Sequence, residues 1–187
     1  MSARVILGVS GASGAALGLA VARQLSVLEI ETDLVISPAG QRTLAEEIGP
    51  DAEDELRGLV TRAYPVDDIG AAIASGSVPV AGMIVAPCSM RSLAAIAHGF
   101  DDNLLIRAAG VQLKERRKLV LLARETPLTL AHLRNMTAVT EMGGIIMPPV
   151  PGFYHQPKGL DEVVAQIAAR AVDLLHIAPA SAARWQG

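Results

Sequence analysis

Apolar residues in this chain follow two rhythms. Short unbroken runs at 4–9, 31–37, 82–86, 119–123 and 145–147 are rich in Val, Ile and Leu and have the length of strands buried on both faces. Between them, apolar positions recur every three or four residues, as Leu17, Val21, Leu25 and Leu28 do within 15–28. The same spacing predicts helices over 41–47, 51–63, 93–98, 103–117, 129–142 and 160–177. Pro38 closes the second run, Ser89 stands where a helix N-cap belongs, and Gly143-Gly144 supplies a C-terminal stop. Residues 71–80 and 151–157 read as loops, and 178–187 as a tail. Strand and helix alternate throughout, which is the pattern of a parallel sheet covered on both faces. The expected fold is α/β, a doubly wound parallel sheet in a Rossmann- or flavodoxin-like three-layer sandwich. The 187 residues suit one domain over 1–187 with no internal linker.

Composition narrows the picture. Half of the chain is apolar, 51%, while aromatics are 3%, which suits an interior of β-branched strands and Ala/Leu helices. Net charge is −3, so no general attraction to nucleic acid or to an anionic membrane is expected. No apolar run reaches the roughly 18 residues of a membrane helix. The single cysteine, Cys88, fits a reducing cytoplasm, and the four histidines are scattered without metal spacing.

In open parallel sheets, ligands bind beyond the carboxyl ends of the strands. Those tips carry Gly11-Ala12-Ser13-Gly14, Ser37, Cys88-Ser89-Met90-Arg91-Ser92, Arg124-Glu125-Thr126-Pro127 and Pro151-Gly152-Phe153-Tyr154. The first is a glycine-rich turn into a helix, which suits a phosphate through backbone N–H groups and the helix dipole. It also suits simple close packing. Ser10 and Ser13 favour phosphate or flavin contact. Its Gly-x-x-Gly-x-x-Gly spacing is neither a dinucleotide fingerprint nor a P-loop. Asp33 has the sequence distance of a ribose-binding acid but falls near the start of its strand, which argues against NAD and for a mononucleotide. Ser89 and Ser92 are hydrogen-bond donors to a cofactor or plain capping residues. Cys88 is a nucleophile only if a distant His serves it, and otherwise structural. Arg107 and Lys114 lie seven apart on one helical face, an anion clamp or a solvated basic helix end; for Arg116 and Arg117 the solvated helix end is the reading. Arg124 and Glu125 point to opposite sides of their strand tip. Glu125 is the candidate general acid/base, with a rim ion pair as the other reading. Tyr154, on a stiff proline loop, is a phosphate donor or an aromatic plug.

Five motifs in register carry a resemblance: Gly11-Ala12-Ser13-Gly14-Ala15, Ala86-Pro87-Cys88-Ser89-Met90, Leu113-Lys114-Glu115-Arg116-Arg117, Arg124-Glu125-Thr126-Pro127-Leu128 and Pro151-Gly152-Phe153-Tyr154-His155-Gln156-Pro157. Together they resemble the UbiX-type flavin prenyltransferases from about residue 5 to 177, and the tail Arg184-Trp185-Gln186-Gly187 is similar to that of some members. Gly152 departs from the family's usual Ala, and Met90 and Arg91 fall at variable positions. The resemblance implies reduced FMN as acceptor substrate and dimethylallyl monophosphate as donor, joined at flavin N5 and C6 without a metal. It implies a homododecamer with sites shared between subunits, and a UbiD-type decarboxylase as recipient of the prenylated FMN. Gly11, Ala12, Ser13, Ser37, Ser89, Met90, Arg91, Ser92 and Arg124 resemble the FMN contacts. Arg107, Lys114, Tyr154 and Arg170 resemble the prenyl-phosphate contacts. Glu125 resembles the catalytic acid, with Glu47 and Ser13 as helpers. Two other readings stay open: an FMN-dependent decarboxylase of cysteine-containing substrates, and a non-catalytic flavin carrier.

Overall fold

Arg4–Val9 (β1) sends Val5, Leu7 and Val9 to one face of the sheet and Ile6 to the other, and all four are fully buried. This two-sided burial recurs in Glu31–Ile36 (β2), Gly82–Cys88 (β4) and Lys118–Ala123 (β5), as expected of parallel strands with helices on both sides. Short edges complete the sheet at Arg62–Tyr64 (β3) and Ile145–Ile146 (β6). The computed structural model describes residues 3–184. All strand pairs are parallel, in the order β3-β2-β1-β4-β5-β6. The expected doubly wound fold is therefore present, with its topological switch between β1 and β4.

One face carries Ala15–Val27 (α1), Pro38–Glu47 (α2), Ala52–Gly58 (α3) and Leu160–Asp173 (α7), packed on Leu7, Ile84 and Leu122. The other carries Met90–His98 (α4), Leu104–Lys114 (α5) and Leu130–Glu141 (α6), packed on Ile6, Met83 and Leu121. No helix of the described residues is long and apolar enough to cross a membrane.

Several boundaries differ from the sequence pattern, each for a local reason. The helix expected over 51–63 stops at Gly58, and Arg62–Tyr64 becomes a strand instead. It pairs along the open edge of β2, where Arg62 stands opposite Asp33 in register and Tyr64 opposite Val35. The second helix starts at Pro38, not Gln41, because Ser37 caps it and proline suits the first helical position. The third strand runs past Pro87 to Cys88, through an irregular register between Val85 and Cys88, and α4 then starts at Met90. The stretch 71–80 is no simple surface loop: a 3₁₀ turn at Ala72–Ala74 buries Ile73. Helix α7 ends at Asp173 rather than 177. Of the tail motif, 185–187 lie outside the described residues.

Two charged residues prove to be structural. Asp33 is fully buried in β2, where Arg4 donates to it and Arg62 lies at 3.5 Å, so it cannot reach a cofactor ribose. Arg117 is not a solvated helix end: its guanidinium donates to the carbonyls of Val78 at 2.9 Å and Gly76 at 2.6 Å, clamping the loop before β4.

Helix α1 lies close enough to β4 that a Cβ on Gly18 would stand 2.7 Å from the Ala86 carbonyl oxygen. Gly18→Ala is expected to destabilise the fold by about 1–3 kcal/mol through overpacking. A urea midpoint equal to the parent's would show that the two elements can separate without cost.

Candidate functional site

The carboxyl ends of β1, β2 and β4 open onto a cleft of about 510 Å³ that straddles the switch point. Three helices begin at this cleft, each with its N-cap on the wall. Ser37 Oγ accepts from the Gly40 N–H of α2 at 3.0 Å. Ser89 Oγ accepts from the Ser92 N–H of α4 at 3.1 Å. Asn103 Oδ1 accepts from the Ile106 N–H of α5 at 3.1 Å. Capping and ligand binding are thus not alternatives for Ser37 and Ser89. The caps fix where three positive helix ends point, and all three point at one space. Pro38, Val66 and Leu105 give that space apolar walls, and its volume falls in the usual range for a cofactor site.

Of the sequence candidates, Gly11, Ser37, Ser89, Arg91 and Ser92 line the cleft together. Gly11 is required there: a Cβ would sit 2.3 Å from the Ala39 Cβ, so only glycine lets the β1 tip meet the start of α2. Arg91, at the mouth, is ion-paired with Asp102. Met90 packs its side chain against the α4–α5 core. Ala12 is buried behind the turn, with its N–H given to the Ser10 carbonyl at 2.9 Å. Val66, Asp67, Asp102, Asn103 and Leu105 also line the cleft and were not singled out from sequence. The Asn103 cap, ahead of an amphipathic stretch, was the one available signal among them.

The glycine-rich turn does not present its helix-end amides to an outside phosphate. The N–H groups of Gly14 and Ala15 both donate to Glu47 Oε2, each at 2.8 Å. Gly14 adopts φ +112, and this left-handed turn aims its amide at the carboxylate. Partial burial raises the affinity of Glu47 for a proton. The amides of Ala15 and Gly14, the Ser13 hydroxyl and the charge of Arg124 outweigh it, and the group is held below its ordinary value. Ser13, two residues along the chain from Gly11, is therefore brought together with Glu47 and Arg124. Glu47 is a standing carboxylate there, suited to accept hydrogen bonds and not to donate a proton.

Ser10 is not a cofactor contact. It is 1% exposed, its Oγ donates to the Pro87 carbonyl at 3.0 Å, and it accepts from the Ser89 N–H at 2.8 Å. Cys88 is fully buried, and burial pushes its thiol up to about 12, which excludes it as a nucleophile near neutrality. Glu125 stands exposed past β5, and one oxygen accepts from the Thr126 N–H at 3.0 Å.

The four basic or phenolic donor-site candidates divide between two cavities. Arg107 and Lys114, on α5, line one of about 750 Å³ together with His98 and Arg116. Arg107 lies 3.3 Å from Asp101, and Lys114 lies 2.7 Å from Glu115. Tyr154 and Arg170 line a second cavity of about 160 Å³ between the proline loop and α7. Helices α5 and α7 cover opposite faces of the sheet, so one chain does not unite the four.

Comparison with known proteins fits this geometry. A family model described as Flavoprotein matches residues 1–171. A flavin prenyltransferase UbiX of Neisseria meningitidis serogroup B is 51% identical over 187 residues, 100% of this chain and 98% of that protein. The crystal structure of AnUbiX (PadA1) with FMN and dimethylallyl pyrophosphate superposes with a TM-score of 0.95 at 42% identity, covering 100% of this chain and 99% of that one. A dodecameric FMN-dependent Ubix-like decarboxylase from Escherichia coli O157:H7 gives 0.93 at 42%, covering 98% and 100%. The FMN-dependent cysteine decarboxylase TvaF, at 17% identity and a TM-score of 0.66, shares the fold alone. The chain belongs to the UbiX flavin prenyltransferase family of the flavoproteins.

A carboxylate that ionises more readily folded than unfolded stabilises the fold fully above its ordinary value, here 4.5, and loses that contribution as pH falls through its depressed folded value. Glu47→Gln is thus expected to be less stable than the parent at pH 7, with the gap in urea midpoints narrowing below about pH 4.5. An equal gap at pH 7 and at pH 3 would show that the charge contributes nothing.

Proposed function

We propose that this chain is a flavin prenyltransferase, transferring a dimethylallyl group from dimethylallyl monophosphate to N5 and C6 of reduced FMN. The observation that carries the reading is the cleft at the switch point. Three capped helix ends face it beside the Ser13–Glu47–Arg124 cluster, in a chain that matches flavin prenyltransferases over its full length.

Reduced FMN, when bound, supplies an electron-rich ring able to attack an allylic cation. The residues of this chain do the rest. Gly11, Ser37, Ser89, Met90, Arg91 and Ser92 seat the flavin, with Ala12 and Ser13 behind the turn and Arg124 at its edge. Breaking the allylic C–O bond leaves an anionic phosphate, which Arg107, Lys114, Tyr154 and Arg170 stabilise without a divalent ion. Glu125 donates a proton to the departing phosphate and serves the later proton transfer. Glu47, ionised, orients the Ser13 hydroxyl. Because the four side chains assigned to the phosphate lie in two cavities on opposite faces, a homo-oligomer completes the donor site by bringing α5 of one chain to the proline loop and α7 of another. A dodecamer, as in the E. coli structure, is the proposed assembly. The domain acts as one unit over 1–187, in the cytoplasm, and its product serves a UbiD-type decarboxylase.

Decarboxylation of a cysteine-containing substrate requires no such basic clamp, and a flavin carrier requires no Glu125. Incubated with reduced FMN and dimethylallyl monophosphate or pyrophosphate, the protein is expected to raise the flavin mass by one C₅H₈ unit, and a chelator to leave the rate unchanged. Glu125→Gln should retain FMN binding and slow prenylation by about 10²-fold or more. Parental turnover in that variant removes Glu125 from the chemistry, and an unchanged flavin mass with either donor removes the prenyl-transfer reading.

A further inference from the structure

Asp173 closes α7 and is 9% exposed, yet among the described residues it forms no ion pair with a basic side chain. Its oxygens are given to the chain's own tail. Oδ1 accepts from the Ser181 N–H at 2.8 Å and from the Ser181 hydroxyl at 3.4 Å, and Oδ2 accepts from the Ala182 N–H at 3.1 Å. Two further anchors extend the attachment. The Ala183 N–H donates to Gln166 Oε1 at 3.2 Å, and Gln24 of α1 donates to Ser181 Oγ at 2.9 Å.

Gln166, Arg170 and Asp173 share one face of α7, at spacings of four and three. Tail residues 181–182 are fixed at Asp173 and residue 183 at Gln166, so the tail runs back along the helix past Arg170. Ala182 and Ala183 accordingly form a wall of the 160 Å³ cavity that holds Arg170 and Tyr154. A second consequence is electrostatic. Asp173 is the acid three residues from Arg170, near enough on a helix to neutralise it. Its oxygens are instead committed to tail amides, and among the described residues Arg170 makes no ion pair with a carboxylate.

We propose that Asp173 is a positioning residue: by capturing the Ser181 and Ala182 amides it docks the tail as a wall of the Arg170–Tyr154 cavity and leaves Arg170 available to the donor's phosphate. The role rests on the prenyl-transfer reading for the identity of the anion, but the latch itself does not. A buried carboxylate accepting two amides is a strong, directional anchor. A wall displaced by an ångström changes how tightly a small anion is held.

Two full-length variants test it. Asp173→Asn weakens the acceptor, and Ser181→Pro removes the amide from the tail side without touching α7. Both are expected to speed hydrogen exchange at the Ala182 amide by at least about tenfold. Both should also raise the dissociation constant for inorganic phosphate and the KM for the prenyl-phosphate donor by about tenfold, with kcat, FMN affinity and melting temperature near the parent's. Parental phosphate affinity and donor KM in both variants would overturn the proposal. So would an equal loss of FMN affinity and melting temperature, which marks a merely structural contact. If the parent makes no prenylated flavin, the exchange and phosphate measurements still decide the latch, and the failure then belongs to the prenyl-transfer reading.

Discussion

One buried hydroxyl ties the two halves of the sheet together where the cleft opens. Ser10 Oγ donates to the Pro87 carbonyl and accepts the Ser89 N–H, and its own backbone N–H also reaches Pro87. The tips of β1 and β4 diverge at the switch point, where a doubly wound sheet leaves a crevice. The β1–β4 ladder ends at Gly8 and Val85, and the Ser10 contacts hold the tips beyond it. With these contacts, Gly11 on one side and Ser89 on the other stand in a set relation, and α4 starts where the cleft needs its amides. Ser10 is buried and its hydroxyl proton is committed to Pro87; its contribution is to fix the frame.

The glycine-rich turn shows how the molecule handles a helix end near the cleft. A free N-terminus beside the cleft would draw any phosphate to it. Here Glu47 fills it from within, reaching from the end of α2 to the start of α1. The helix ends that remain facing the cleft are those of α2, α4 and α5. Glu47 is held ionised next to Arg124 and Ser13, so the turn adds a fixed negative charge where the sequence pattern suggests a positive pole.

Much of this was legible in the sequence because the signals are local and strong. The apolar runs that became β1, β2, β4 and β5 are near-continuous, and the hydroxyl residues at their ends gave the cleft wall. The failures have a common cause in long-range partners. Arg62–Tyr64 becomes a strand because β2 has an open edge with Asp33 in register, which no window of helical spacing reveals. Ser10 and Ser13 are equivalent in sequence, yet one is stapled to Pro87 and the other faces Glu47. Arg117 looks like any helix-end cation, and its acceptors are carbonyls about 40 positions earlier. Asp102 and Asn103 lie in a polar connection whose place in the cleft depends on α5 crossing the sheet.

The cations differ in how they are held, and the difference follows from solvent exposure. Arg4 meets a fully buried carboxylate, and that pair holds β1 to β2. Arg107 with Asp101 and Lys114 with Glu115 are pairs of another kind, open to water on both partners. An exposed ion pair contributes about 0–1 kcal/mol, so these side chains are parked and not consumed. A phosphate carrying two charges, held in a site from which water is expelled, outcompetes a single solvated carboxylate for the same cation. The acidic neighbours therefore hold these basic groups by contacts weak enough for a more highly charged anion to displace. Arg170 reaches the same readiness by the opposite route: the acid on its own helix face is occupied by the tail, and the guanidinium is left open toward the cavity.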